Sequence, residues 1–147
     1  MVLATVAAGL LPTGIHLATW EELVTFTGTS PYRLTLLVGL RAAALELRRC
    51  GCPRLYVDGS FATDEPLPGD FDGCWEVAGT DLRILDPVLQ DFTNKRAAQK
   101  AKYGGELFPA SGRADAAGHT FLDFFQVDKY TGKPKGIIAV DLTRITP

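Results

Sequence analysis

The spacing of apolar and polar positions changes several times along the chain, and the changes fall at proline, glycine or a helix-capping residue. Met1 to Leu11 is apolar and Ala-rich; it reads as an extended segment lying on the domain, closed by Pro12-Thr13-Gly14. Thr19 followed by Glu22 is a capping-box pattern that opens a short helix ending near Gly28. Ser30-Pro31 opens a second helix, with Ser as N-cap and Pro in the first turn. Leu34, Leu37, Val38, Ala44 and Leu45 follow its helical spacing, Arg33, Arg41, Glu46, Arg48 and Arg49 supply its wet side, and Gly51 and Pro53 end it. Arg54 to Asp58 reads as a strand ending in a sharp turn at Gly59-Ser60, and Pro66, Pro68 and Gly69 stiffen the loop that follows.

A second strand is expected from Phe71 to Val77, a helix from Leu82 to Gln90 despite Pro87, and a further helix from Asn94 to Tyr103 closed by Gly104-Gly105. Phe108 to Gly118 reads as a loop. Phe121 to Val127 and Gly136 to Leu142 read as two strands joined into a hairpin by Asp128 to Pro134. The expected architecture is a single α+β domain over residues 1–147, with a small mixed sheet of about four strands packed with helices.

Composition narrows the function classes. Apolar residues make up 46% and charged residues 22% of 147, the balance of a folded domain able to bury its own core. A formal net charge of −2 gives no overall positive field to demand nucleic acid or an anionic membrane. The apolar start lacks a preceding Lys or Arg and is too short to span a bilayer, so neither a secretory signal nor a membrane anchor is expected. Cys50, Cys52 and Cys74 make no disulfide framework; they fit inert thiols in a reducing cytoplasm. His16 and His119 stand far from the Cys-x-Cys pair, which argues against zinc.

The chemistry concentrates between Leu55 and Asp72. A strand ending in Gly59-Ser60 offers close backbone approach, a hydroxyl and an N–H to an anion. Asp70 and Asp72, two apart on the next strand, point to one face. Two facing carboxylates repel unless a cation joins them, and Mg²⁺, which binds through one or two carboxylates plus substrate phosphates, is the natural candidate.

Gly59-Ser60 and Asp70-x-Asp72, in this order and spacing after a long helix, resemble the nucleotidyltransferase superfamily with the DNA polymerase β-like fold, in its minimal single-domain form. The resemblance implies that Gly59 and Ser60 hold the triphosphate of an NTP and that Asp70 and Asp72 bind Mg²⁺. It implies also a third carboxylate on a later strand. Asp123 and Asp141 are each a charge within an apolar stretch; Asp123 is the favoured candidate, because it belongs to the first strand expected after the motif, and Asp141 the alternative. Such a third acid would help hold a metal and orient or deprotonate the acceptor hydroxyl.

Arg96 and Lys100, at i and i+4, are candidates to contact the triphosphate or an RNA acceptor; the competing reading is a solvated helix face. Lys133 and Lys135 read as soluble turn residues. The expected function is Mg²⁺-dependent transfer of a nucleotidyl group from an NTP to a hydroxyl of a protein, RNA or small molecule, in a cytoplasmic setting that for some relatives of this kind is toxin–antitoxin or defence-like. Gly73, Cys74 and Trp75 after the acids, where many active members have aliphatic residues, and a loop without Arg after Gly-Ser favour the rival reading. In that reading the domain is a catalytically inactive binding module, the regulatory half of a two-protein system.

Overall fold

The computed structural model describes residues 11–58, 70–128 and 131–147. The segment Met1 to Leu10 and the Gly59-Ser60 turn with its loop lie outside them. Among the described residues five strands form one mixed sheet in the order β1-β5-β2-β3-β4: β1 (Gly14–Ala18), β2 (Arg54–Asp58), β3 (Phe71–Trp75), β4 (Gly105–Pro109) and β5 (Gly136–Asp141). β2 runs antiparallel to both β5 and β3, whereas β1 with β5 and β3 with β4 are parallel pairs.

The two helices expected before β2 form where their caps place them. α1 (Trp20–Thr27) carries the full Thr19–Glu22 capping box, and α2 (Pro31–Arg49) starts on the Ser30 hydroxyl, which accepts from the Arg33 N–H. The buried side of α2 differs in part from the expected one. Leu37, Leu40, Ala43, Ala44 and Leu47 are buried, Leu34 and Val38 are exposed, and Arg33 is buried with its guanidinium donating to the Thr27 carbonyl. The α2 side of the sheet contributes Leu55, Val57, Phe71, Trp75, Leu107, Ile138 and Val140 to one continuous core. Alternation along the strands sends Tyr56, Cys74, Ile137 and Ala139 to the other side, where Ala110 and Phe125 join them.

Five expectations are corrected. Gly14–Ala18 and Gly105–Pro109 are strands, where the sequence reads only as a closing turn at Gly14, a helix end at Gly105 and a loop from Phe108. Leu82 to Gln90 is not an α-helix: turns lead to a short 3-10 helix, Pro87–Gln90, because Pro87 cannot donate into a helix and constrains Asp86 before it. α3 (Thr93–Tyr103) ends on Gly104 as expected, but Asn94, Lys95 and Arg96 are left-handed, so its right-handed part begins after Arg96. β3 stops at Trp75. Finally, Phe121 to Val127 is no strand. Phe121–Phe124 forms the short helix α4, capped by the Thr120 hydroxyl, and the expected hairpin reduces to a bridge between Val127 and Pro134.

The reason for the last correction is the spacing of the aromatics. A strand would put Asp123 on the same side as Phe121 and Phe125. The helical spacing instead turns Phe121 and Phe125 together toward Phe108, with ring centroids 4.2 and 6.2 Å away, and leaves Asp123 exposed. No helix among the described residues is long and apolar enough to cross a membrane.

α2 and the end of α3 touch through a glycine. A Cβ on Gly39 would lie 1.8 Å from the Tyr103 carbonyl oxygen. Helix propensity alone favours alanine there by about 1 kcal/mol. Overpacking costs roughly 1–3 kcal/mol and here meets backbone, so Gly39→Ala is expected to lower stability in urea unfolding by up to about 2 kcal/mol. A gain in stability would contradict this close approach.

Candidate functional site

Of the expected acids, Asp70 and Asp72 lie on the sheet side away from α2. β2 and β3 pair so that Asp58 stands opposite Asp72, and β3 and β4 pair so that Asp72 stands level with Glu106. Asp70 immediately precedes β3, two residues from Asp72 and on the same side by alternation. Asp58, Asp72 and Glu106 thus form a row across three adjacent strands, beginning at the residue that leads into Gly59-Ser60. Asp70 and Asp72 are half-buried, as is Glu106, and Asp58 is buried. Gly59 and Ser60 themselves lie outside the described residues.

Both ends of the row carry cations. Lys135, expected to be a soluble turn residue, is buried just before β5, and its Nζ is 2.7 Å from Asp58 Oδ1. At the other end Lys100 Nζ is 2.9 Å from Glu106 Oε1, while Arg96 Nε and Nη2 donate to the two Glu106 oxygens at 3.3 Å. Arg96 also lies over the Phe108 ring, 5.7 Å from its centroid. Arg96 and Lys100 both reach Glu106, although Arg96 sits in the left-handed turn and not on a regular helix face as expected. Burial pulls the Glu106 carboxyl upward, and its bonds to Lys100 and Arg96 more than offset this, holding it below the usual range.

The two candidates for a third carboxylate are not in the row. Asp123 is exposed on α4, where its N–H donates to the Thr120 hydroxyl. Asp141 pairs with Arg54, at the far end of β2 from Asp58. Four residues of strand separate the two levels by about 13 Å. The Asp141 carboxylate is also engaged locally, accepting from the Thr143 N–H and hydroxyl. Asp58 and Glu106 are the residues that sequence reading missed. Each is a charge abutting apolar strand residues, the signal used for Asp123, but only the strand register reveals that they flank Asp72.

Other reactive groups on this side are tied down. Cys74 is buried, and burial together with the charges of Asp58 and Glu76 pushes its thiol well up. Tyr56 donates to Glu76 at 3.0 Å, and burial, reinforced by that carboxylate, pushes it up to about 12. On the α2 side, Cys50 and Cys52 are buried in the core as free thiols. His16 reaches the Pro12 carbonyl oxygen and His119 pairs with Asp115. Among the described residues no three of His, Cys, Asp or Glu come together closely enough to hold a metal ion. A divalent ion here would therefore take Asp70 and Asp72 as its protein ligands and complete its shell from outside them, which is the usual mode for Mg²⁺.

Glu106 links stability to pH. Its folded-state carboxyl is depressed, so its contribution is present above the unfolded value of 4.5 and is lost as pH falls through the folded value. Glu106→Gln is expected to cost about 1.5–3 kcal/mol at pH 7, the range for hydrogen bonds to charged groups. The difference from wild type should shrink progressively below pH 4.5 in urea unfolding. A difference independent of pH would show that the Arg96–Glu106–Lys100 cluster contributes nothing through charge.

No curated protein and no solved structure matches the chain. Residues 4–141 match the model of a family of unknown function, DUF6932. That match spans nearly the whole chain, which therefore belongs to this family.

Proposed function

We propose that the chain is a Mg²⁺-dependent nucleotidyltransferase acting from an NTP onto a hydroxyl of a protein, an RNA or a small molecule. The observation that carries the reading is the β2–β3 register. It sets the acidic pair beside the end of the strand that runs into Gly59-Ser60, on the side of the sheet free of α2. Asp70 and Asp72 would hold Mg²⁺, which supplies charge neutralisation for the triphosphate and the leaving group. Arg96 and Lys100 carry two positive charges against the single charge of Glu106, and the surplus favours a bound phosphate at that end. Glu106 replaces Asp123 as the third acid of this reading. Held below its usual range, it is a weak base, so its role is to position the two cations and not to deprotonate the acceptor. Three buried, free cysteines favour a reducing compartment, which we take to be the cytoplasm.

One observation favours the rival reading, a nucleotidyltransferase-like module that binds a cognate protein without catalysis. Asp58 and Glu106 are both occupied by cations of the protein itself. Calorimetric titration of each NTP with Mg²⁺ separates the two. Saturable, Mg²⁺-dependent binding that weakens at least about tenfold, or 1.4 kcal/mol, in Asp70→Asn/Asp72→Asn is the expected result. Absence of binding at millimolar NTP, or binding indifferent to the substitution, would overturn the enzyme and leave the module.

A further inference from the structure

Phe92 is a large apolar side chain outside the core. It is 40% exposed and belongs to neither of the two buried clusters. A lone exposed apolar residue is ordinary. What sets Phe92 apart is the company it keeps. Its ring stacks on Phe108, with an interplanar angle of 13° and centroids 5.8 Å apart. The Arg96 guanidinium lies over the same Phe108 ring, its Cζ 5.7 Å from the centroid. An exposed aromatic ring and a guanidinium thus both stand within 5.8 Å of one ring centre, close enough for a single small molecule to touch both. The left-handed run Asn94–Arg96 joins them in the chain.

This pairing suits a nucleotide. A base offers an aromatic face that stacks on a side-chain ring, and its phosphates seek cations. Arg96 and Lys100 are the cations to which the reading above assigns phosphate. Lys95, exposed and in no ion pair among the described residues, lies between Phe92 and Arg96 in sequence. Of the neighbouring acids, Asp91 accepts from the Thr93 N–H and hydroxyl, and Glu106 is bonded to Arg96 and Lys100 themselves. Asp72, level with Glu106, belongs to the pair to which that reading assigns Mg²⁺. The other exposed ring of the aromatic cluster, Phe124, follows the exposed Asp123, a charge that repels phosphate. The arrangement therefore fits one nucleotide at the Phe92 end and not a strand running along the rings.

We propose that Phe92 is the stacking platform for the base of the bound nucleotide. Stacking strength grows with the ring area in contact, so the site prefers purines to pyrimidines. The inference rests on the nucleotide-binding reading above and adds to it the residue that selects the base.

Calorimetric titration of the full chain in Mg²⁺ with ATP, CTP and inorganic tripolyphosphate tests it without recourse to activity. The wild type should bind ATP more tightly than CTP, and both more tightly than tripolyphosphate, which carries the charge and no base. Phe92→Ala should weaken ATP binding at least about fivefold, erase the difference between ATP and CTP, and leave tripolyphosphate unchanged. Phe92→Trp should keep or strengthen ATP binding. Both variants alter an exposed side chain and should unfold in urea close to the wild type. ATP binding unchanged in Phe92→Ala, or tripolyphosphate weakened in step with ATP, would overturn the platform while leaving the phosphate site standing. Binding of a single-stranded oligonucleotide but of no mononucleotide would overturn it in favour of a strand. No binding of ATP or tripolyphosphate to the wild type at millimolar concentration would overturn the nucleotide reading and this inference with it.

Discussion

The structure turns on a repulsion. Pairing β2, β3 and β4 in their observed register sets three carboxylates level with one another on one side of the sheet, and such a row is stable only with positive charge beside it. The register is itself set by close packing. Gly73 lies where a Cβ would stand 2.1 Å from the Tyr56 carbonyl oxygen, and Gly105 lies where one would run into the Phe71 ring. Strands that close leave little freedom to slip, and a slip of one residue would turn every acid toward the α2 core. Cations therefore arrive from both flanks: Lys135 from the approach to β5, and Arg96 and Lys100 from α3.

The α3 flank shows what this arrangement costs. Asn94, Lys95 and Arg96 hold φ of 51°, 55° and 61°. Left-handed backbone is unfavourable by about 1–2 kcal/mol for each such residue. What offsets it is local: Arg96 bonds Glu106 and lies over Phe108, whose ring is stacked with Phe92 and with Phe121. Gln99 ties α3 to β4, accepting from the Leu107 N–H while donating to the Asp91 carbonyl. The edge strand β4 is thereby anchored, and Glu106 with it. The sheet has two differently used sides, one committed to the α2 core and the other shared between the α4 aromatics and the charged row.

The parts of the fold legible from the sequence are those fixed by local chemistry. Thr19 with Glu22, Ser30 with Pro31, and Gly104 announce helix ends through hydrogen bonds that the residues make with their own neighbours. β2 and β5 are dense apolar runs and were readable as strands. Elements set by distant contacts were not. β1 and β4 are short and owe their conformation to partners remote in sequence, while the Phe121 stretch satisfies a strand pattern until its rings are asked to meet Phe108. The site divides in the same way. Asp70 and Asp72 follow from spacing along one strand. Asp58, Glu106 and Lys135 belong to the site through pairing between strands, which the order of residues alone does not reveal, and Asp123 was chosen by a rule that Glu106 satisfies equally well.

The central proposal is that the acidic pair at the start of β3 binds a divalent ion. The most direct measurement is anomalous diffraction at the manganese edge from crystals of the full chain grown with Mn²⁺ and a non-hydrolysable NTP. The account predicts an anomalous peak within bonding distance of the Asp70 and Asp72 carboxylates. No peak at Asp70 and Asp72 would contradict it.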